Sequence, residues 1–281
     1  SNNNFSTSLS GIVLNSGTAG TNLLSGGSIT FVGSNAVLRQ NNSGAFIFSN
    51  QIVLATNLAV GGIGGGLVML NSNVTGTGAI TKAGQSLNLI LNGSNTFAGQ
   101  VTVNAGTLTI ANPYGIGTNS LTLSNGTVVA NAAAGYTVGN GWSNQAILLT
   151  GSGSIWTNSA AFIIGSGAAT GDTVTVANRA ALQINGGLTI GTNGANGNSL
   201  ILTNGGLLST TGPVNIGNFT SSNSVTVVGG GIAGTNSVWN LNGQGLAIGG
   251  QTTLNANIAT GNTLTVNGNG VVAGAVVTNK I

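Results

Sequence analysis

The sequence predicts an all-β chain that winds into a parallel β-helix, or β-solenoid, with about three short strands in each coil of about 26 residues. Three observations predict this fold. A glycine returns at a constant interval, a run of alternating apolar and polar residues returns at nearly the same interval, and the composition does not suit helices. The predicted domain organisation is one continuous solenoid over residues 1–281, less regular over 1–75 and regular over 119–274.

The glycine repeat begins with YTVG at residues 136–139. Similar segments follow as FIIG at 162–165, LTIG at 188–191 and VNIG at 214–217. The glycines of this column are Gly139, Gly165, Gly191 and Gly217, which are equally spaced. A constant spacing of this size is the signature of a repeat architecture, because each coil repeats one structural unit.

The strand repeat begins with NSLTL at 119–123 and has later copies such as NSLIL at 198–202. Its apolar column consists of Leu121, Ile147, Val174, Leu200 and Val225. Alternation with a period of two residues is the pattern of a β-strand. The chain has almost no Glu, Lys or Arg, which are the residues that favour helix surfaces. The sequence therefore predicts strands without helices.

A polar column precedes the strands and explains the scarcity of charge. Its members are Asn119, Gln145, Asp172, Asn198 and Asn223. If each strand pairs with its copy in the next coil, equivalent residues stack about 4.8 Å apart. Stacked amides can then hydrogen-bond from coil to coil as a ladder. Like charges at that spacing would repel each other, so a stacked chain with only 2% charged residues is self-consistent.

The ionisable residues exclude most chemistry. They are four cations and one acid, Arg39, Lys82, Arg179, Lys280 and Asp172, and the chain has no histidine or cysteine. Zinc sites and catalytic triads need residues that are missing, and acid–base hydrolysis needs paired carboxylates. We therefore expect no catalytic residue, no metal and no cofactor, and we interpret Asp172 as a member of the polar column.

Partners and membranes are limited by the same composition. Scattered cations do not form a nucleic-acid patch, so no nucleic-acid partner is expected. The most apolar stretch, at 58–70, is shorter than the roughly 20 apolar residues that a membrane-spanning helix needs. We interpret its GGIGGG, at 61–66, as a bend rather than a nucleotide-binding loop, because no βαβ pattern surrounds it.

Residues 76–110 read GTGAITKAGQSLNLILNGSNTFAGQVTVNAGTLTI and resemble the autotransporter-associated β-strand repeat of bacterial surface passenger proteins. The matching residues are Gly78, Thr81, Lys82, Gly84, Gly93, Asn95, Thr96, Phe97, Gly99, Val103, Gly106, Thr107 and Leu108. Phe97 stands at the family's tyrosine position, and Ile80 at its leucine position. The segments at 151–158 and 234–241 resemble Gly-Ser-x-Trp units of repetitive surface proteins. The resemblance implies export, a right-handed β-solenoid at the cell surface and no catalytic residues.

Some side chains admit two interpretations. Lys82 lies at the family's lysine position, where we expect a solvated turn residue. Trp156 and Trp239 suit either stacking on sugars or filling a corner of a coil, and the sequence leaves both open.

The predicted function is that of a non-enzymatic rod in an extracellular fibre or passenger stalk. Copies are expected to associate end to end or laterally, through strand edges and apolar residues such as Leu148 and Ile201. The alternative is an adhesin that binds glycans through Trp and Asn. Ice binding is disfavoured because apolar residues interrupt its outward column of Thr122, Leu148, Thr175, Ile201, Thr226 and Thr265.

Overall fold

The structure is a computed structural model and describes residues 2–3, 6–15, 20–230, 235–249, 259–274 and 276–277. The chain divides into two compact units, unit 1 (Ser1–Asn131) and unit 2 (Ala132–Ile281). All regular structure in the described residues is β-strand, as the sequence predicts. Lys280 and part of the segment at 234–241 lie outside the described residues.

Unit 1 contains short strands separated by bends rich in glycine and asparagine. They are β1 (Asn2–Asn3), β2 (Thr7–Leu9), β3 (Gly11–Leu14), β4 (Thr21–Gly26), β5 (Ile29–Phe31), β6 (Ala36–Gln40), β7 (Ala45–Phe48), β8 (Ile52–Leu54), β9 (Leu58–Gly61), β10 (Leu67–Leu70), β11 (Val74–Gly76), β12 (Ile80–Lys82), β13 (Asn88–Leu91), β14 (Val101–Val103), β15 (Thr107–Ile110), β16 (Leu121–Leu123) and β17 (Thr127–Ala130).

The strands of unit 1 form three parallel sheets. Sheet 1A has the order β1, β4, β7, β10, β13, β15, β17. Sheet 1B has the order β2, β5, β8, β11. Sheet 1C has the order β3, β6, β9, β12, β14, β16. Each strand therefore pairs with its counterpart in the next coil, which is the pairing of a parallel β-solenoid.

Unit 2 continues the strand numbering in chain order. Its strands are β18 (Tyr136–Asn140), β19 (Ala146–Thr150), β20 (Ile155–Asn158), β21 (Phe162–Ser166), β22 (Thr173–Ala177), β23 (Ala181–Ile184), β24 (Leu188–Ile190), β25 (Ser199–Thr203), β26 (Leu207–Thr210), β27 (Val214–Ile216), β28 (Ser224–Val228), β29 (Val238–Asn240), β30 (Gly245–Ile248), β31 (Thr263–Asn267), β32 (Val271–Ala273) and β33 (Val276–Val277).

Three parallel sheets also form unit 2. Sheet 2A has the order β20, β23, β26, β29, β32. Sheet 2B has the order β18, β21, β24, β27, β30, β33. Sheet 2C has the order β19, β22, β25, β28, β31. The prediction of about three short strands per coil is confirmed here.

The core of each unit consists of stacked apolar columns, because alternate residues of every strand face inward. In sheet 1A, the buried Phe46 and Phe48 align with Val68 and Leu70 of the next coil. In sheet 2A, Trp156 aligns with Leu182. Buried apolar side chains thus pack on buried apolar side chains of the next coil along each unit.

The coil length differs between the units. In sheet 2B, Tyr136 aligns with Phe162, which aligns with Leu188, so these coils have the length that the sequence predicts. In sheet 1A, Ala45 aligns with Leu67, and the coil between them is shorter. This coil lies within residues 1–75, where the sequence predicts less regular coils. The prediction of a single continuous solenoid stays a prediction, as does its right-handed twist.

Candidate functional site

The predicted apolar column lies inside the coils. Ile147, Val174, Leu200 and Val225 are aligned in successive strands of sheet 2C, and all four are buried. Leu121 belongs to unit 1, where it is buried and aligned with Val101. These residues supply apolar packing and present no group to a ligand.

The predicted glycine column lies at the ends of the strands of sheet 2B, and each member is buried. Gly139, Gly165, Gly191 and Gly217 have φ angles of 67°, 80°, 76° and 77°. These are left-handed conformations, which glycine adopts without the steric cost that a Cβ imposes. The column therefore turns the chain in the same way in four successive coils.

The predicted polar column of unit 2 forms a ladder between backbone and side chain. The backbone N–H of Asp172 donates to Oδ1 of Asn198 at 3.0 Å, and that of Asn198 donates to Oδ1 of Asn223 at 3.0 Å. The ladder begins with the N–H of Gln145, which donates to Oδ1 of Asp172 at 2.8 Å. It continues to Oδ1 of Asn262, which accepts from the N–H of Asn223 at 2.9 Å. Each coil is therefore hydrogen-bonded to the next through a side chain that is buried, except for the half-buried Asn262.

The side-chain amides add a second set of bonds. Nδ2 of Asn198 donates to Oδ1 of Asn223 at 3.1 Å, and Nδ2 of Asn223 donates to Oδ1 of Asn262 at 3.2 Å. These are the coil-to-coil amide bonds of a stacked ladder.

The glycine column and the ladder occupy the same space. A Cβ added to Gly165 would lie 2.2 Å from Nδ2 of Asn198, and one added to Gly191 would lie 2.3 Å from Nδ2 of Asn223. Real Cβ atoms do not approach other atoms so closely. The glycines are thus required both by their φ angles and by the ladder amides packed against them. The shared period of the two columns was the sequence signal for this coupling, which the sequence-based predictions missed.

Asp172 replaces the amide of the ladder with a carboxylate. Its side chain is fully buried, and its Oδ2 has no hydrogen-bond partner among the described residues. Burial raises the pKa of Asp172 to about 6, and the N–H of Gln145, which favours the carboxylate, opposes this. In Asn198 the equivalent position carries an amide that donates to the next coil. A protonated Asp172 would restore a donor at that place.

Asn119 binds within unit 1. Its Nδ2 donates to the carbonyls of Phe97 and Ile116, the latter at 3.3 Å. Asn95, in the segment that resembles the autotransporter repeat, has a similar position. Its Oδ1 accepts from the N–H of Val74 at 2.8 Å, and its Nδ2 donates to the carbonyl of Gly115 at 2.5 Å. Both asparagines satisfy backbone groups that the bends of the coil leave buried.

Lys82 is not a solvated turn residue, and that prediction is wrong. Lys82 is fully buried, and it takes an inward position of sheet 1C between Val60 and Val103. Its Nζ donates to the carbonyls of Gly84 at 2.5 Å and Ala105 at 2.9 Å. Burial lowers the pKa of Lys82 to about 8. The long side chain allows an amine to reach bend carbonyls from an inward strand position, which strand periodicity alone does not reveal.

Trp156 and Trp239 fill the interior of unit 2. Both are fully buried, which excludes stacking on sugars in this structure. The ring of Trp156 packs edge-on against Tyr136 and Phe162, at centroid distances of 5.1 and 5.7 Å. Of the two interpretations that the sequence leaves open, packing inside the coil fits both residues, although they lie within strands β20 and β29 rather than at a corner.

The glycine run at 61–66 is a bend, as predicted. It joins β9 to β10, which lie in different sheets. A Cβ on Gly64 would lie 2.1 Å from the carbonyl oxygen of Asn42 in the preceding coil. The glycines therefore allow two bends to stack directly.

Apolar residues also face outward. In sheet 2A an aligned outward column runs along unit 2, formed by Ile155, Ala181, Leu207, Val238 and Val271. In sheet 1A a second column runs along unit 1, formed by Leu23, Ile47, Met69, Ile90 and Val129, and it is interrupted by the buried, polar Thr109. Leu148 and Ile201 are half-buried on the outer side of sheet 2C. On sheet 2C, Leu148 and Ile201 alternate with threonines, so apolar residues follow one another over more coils in sheets 1A and 2A.

Chemistry-bearing groups are scarce. Among the described residues, no three His, Cys, Asp or Glu side chains form a group that could hold a metal ion. A search of the described residues for a long, apolar helix able to cross a membrane found none.

The architecture and its columns define a parallel β-solenoid. Among known proteins, the chain is similar to the adhesin BmaC autotransporter of Brucella suis biovar 1 (strain 1330), with 32% identity over 137 residues. The similarity covers 48% of this chain and 4% of the adhesin, so the chain matches a small part of that protein. No protein-family model and no solved structure matches the chain. The assignment of residues 76–110 to the repeat family stays a prediction.

Proposed function

We propose that this chain is a non-enzymatic structural segment of an exported bacterial surface protein, a β-solenoid rod in a fibre or passenger stalk. The observation that carries the proposal is the buried ladder of unit 2, in which one side chain per coil bonds successive backbones. In this arrangement the polar side chains of the ladder are hydrogen-bonded to neighbouring coils and stabilise the stack. The similarity to an autotransporter adhesin supports the surface location.

We also propose that copies of the chain associate with one another. Only 2% of the residues are charged, so little electrostatic repulsion opposes contact between copies. The outward column of sheet 1A offers an apolar strip, but six short strands at about 4.8 Å spacing cover only roughly 400 Å². A stable interface needs about 800 Å² from each partner. Lateral contact of this strip alone is therefore weak, and pairing of strand edges has to contribute most of the association.

Electron microscopy and light scattering of the purified chain test the association. We expect concentration-dependent fibres, with a diffraction spacing of about 4.8 Å along the fibre axis. Replacement of Ile47 and Met69 by Lys should reduce lateral bundling of the fibres without abolishing them. A chain that stays monomeric at high concentration would show that self-association is wrong, and the passenger role would survive that result.

A second candidate function is adhesion, and the similarity to a protein named as an adhesin favours it. Display of the chain on a non-adherent bacterium tests this function. We expect the displaying cells to attach to glycan-coated surfaces more than cells that display a β-solenoid of unrelated sequence. Equal attachment of the two strains would contradict adhesion.

A further inference from the structure

Two exposed aromatic side chains lie on one stack of turns in unit 2. These turns connect sheet 2B to sheet 2C and comprise residues 140–144, 166–171, 192–197 and 218–222, here called the corner turns. Trp142 is 57% exposed in the first corner turn, and Phe219 is 49% exposed in the fourth. Trp156 and Trp239 are fully buried, so Trp142 alone among the three tryptophans presents its ring to solvent.

Phe219 occupies a backbone position that disfavours an aromatic residue. Its φ angle is 56°, in the left-handed region. The position two residues after the column glycine is Gly141, Gly167 and Asn193 in the preceding corner turns, with φ angles of 75°, 64° and 52°. Glycine and asparagine suit this conformation, whereas a bulky side chain there is an outlier. A strained residue that is also exposed does not contribute core packing, and such outliers concentrate at functional positions.

Small residues, several of them polar, form the surface between the two rings. Gly167 and Ala168 lie in the second corner turn, and Asn193 and Gly194 in the third. The turns are bonded to each other: the N–H of Ala168 donates to the carbonyl of Asn193 at 3.1 Å, and Nδ2 of Asn193 donates to Oγ of Ser166 at 3.3 Å. A Cβ on Gly194 would touch only Ala168, at 3.9 Å. The surface is therefore ordered, shallow and open.

The spacing of the rings follows from the stacking of the coils. Trp142 and Phe219 are three coils apart, which corresponds to about 14 Å at a rung spacing of about 4.8 Å. A short extended ligand can contact both rings while it lies across the glycine and asparagine surface. A small compact molecule can contact one ring only.

The residues of the corner turns select a class of ligand. No charged side chain occurs in the corner turns, apart from the buried acid that follows the second one, so no group favours an ionic ligand. The surface between the rings lacks the apolar side chains that a lipid chain or apolar peptide would need. Sugar rings have apolar C–H faces that suit aromatic rings, and their hydroxyls suit the exposed Thr170, Asn193 and Asn196.

We propose that Trp142 and Phe219 are the two stacking positions of a binding site for a neutral oligosaccharide laid along the corner turns. This inference rests on the adhesion candidate described above, and it assigns the contact residues and the ligand class. It also moves the glycan site from the buried Trp156 to the exposed Trp142.

Binding by the purified chain tests the site directly. An array of neutral oligosaccharides, including glucans, galactans and N-acetylglucosamine oligomers, identifies a ligand for titration by tryptophan fluorescence. Since Trp142 is the exposed tryptophan, ligand binding should shift the emission to shorter wavelength. Trp142→Ala should weaken binding at least tenfold and abolish the shift, while Ile155→Ala, on the outward face of sheet 2A, should change neither.

Phe219→Asn separates binding from folding. Asparagine is the residue that the third corner turn uses at this position, so the variant should raise the melting temperature by a few degrees. It should also weaken oligosaccharide binding several-fold. A variant that is more stable and binds as well as the wild type would overturn the role of Phe219. Binding of charged glycans only, or no neutral glycan bound by the wild type, would overturn the site.

Cell display distinguishes this site from adhesion itself. If displayed wild-type chain promotes attachment and Trp142→Ala promotes it equally, the site is wrong and adhesion stands. If the soluble chain loses oligosaccharide binding on Trp142→Ala but the displayed chain promotes no attachment, the site stands and adhesion is wrong.

Discussion

Unit 1 and unit 2 stack parallel coils in the same way but satisfy their buried polar groups differently. In unit 2, side chains of equivalent position bond one coil to the next, and sheet 2B keeps a constant coil length from Tyr136 to Val214. In unit 1, Leu67 aligns with Asn88 and Asn88 with Thr107, so successive coils are shorter and unequal in length. A ladder requires each member to lie over the next but tolerates unequal coils, since the ladder of unit 2 continues across the longer coil between Asn223 and Asn262.

Individual buried side chains hold the bends of unit 1. Nε2 of Gln40 donates to the carbonyl of Gly44 at 2.7 Å, and Nδ2 of Asn50 donates to the carbonyl of Gly27 at 2.6 Å. Lys82 bonds two bend carbonyls in the same manner. The bond of Gln40 lies within its own bend, whereas the bonds from Asn50 to Gly27 and from Lys82 to Ala105 join neighbouring coils. All of these side chains donate to backbone carbonyls, so they need no equivalent side chain in the next coil. The coils of unit 1 stack in parallel without a regular sequence period. A regular period is therefore a sign of the ladder in unit 2, and a parallel solenoid can form without it.

The largest expected effect comes from breaking the ladder of unit 2 at a glycine. Gly165→Ala places a methyl group on Nδ2 of Asn198 at a φ of 80°. We expect a loss of about 3 kcal/mol of unfolding free energy, from the left-handed conformation and the displaced amide together. Urea denaturation followed by circular dichroism measures it.

Gly141→Ala is the matched control for this variant. Gly141 has a similar φ of 75°, but a Cβ there would meet nothing within 4 Å. Its loss should be about 1 kcal/mol, the cost of the conformation alone. Equal losses in the two variants would contradict the coupling between glycine column and ladder.

An intermediate effect is expected in unit 1, at the buried cation. Lys82→Met keeps the length of the side chain but leaves the carbonyls of Gly84 and Ala105 without this donor. We expect a loss of about 2 kcal/mol, measured by urea denaturation. Arg39→Met, at an exposed cation of sheet 1C, should change stability by no more than about 0.5 kcal/mol. If Lys82→Met were as stable as the wild type, the hydrogen bonds from Lys82 to the carbonyls of Gly84 and Ala105 would not stabilise unit 1.

The smallest effect concerns the carboxylate in the ladder and depends on pH. Because the pKa of Asp172 is raised from 3.8 to about 6 on folding, the folded chain binds the proton more tightly than the unfolded chain. The associated stability is fully present below pH 3.8 and is lost as the pH rises through 6. We therefore expect a higher melting temperature at pH 4 than at pH 7.5.

Asp172→Asn provides the control for this dependence. The amide restores at every pH the donor that Asn198 and Asn223 supply in their own coils. The variant should be more stable than the wild type at pH 7.5 and should melt at the same temperature at pH 4 and pH 7.5. A variant that keeps the wild-type pH dependence would show that another group causes it.

The columns of unit 2 could be predicted from the sequence because stacking places chemically similar residues at equal intervals. Ile147, Val174 and Leu200 share one register, and the polar residues that precede their strands, Gln145, Asp172 and Asn198, share another. Trp142 and Phe219 were missed because neither recurs in the neighbouring coils. A comparison of the residues that follow each column glycine would have shown Phe219 at a position held by Gly141, Gly167 and Asn193.

The sequence by itself determined that the chain is all-β, that its strands pair in parallel coil on coil, and which residues of unit 2 form columns. Periodicity carries this information, since a solenoid repeats its environment with every coil. Only the tertiary structure decided where single side chains lie: Lys82 and Trp156 inside, Trp142 outside, and the ladder amides against the column glycines. These placements depend on how far a side chain reaches and on what the next coil leaves open, and a one-dimensional pattern does not record either distance.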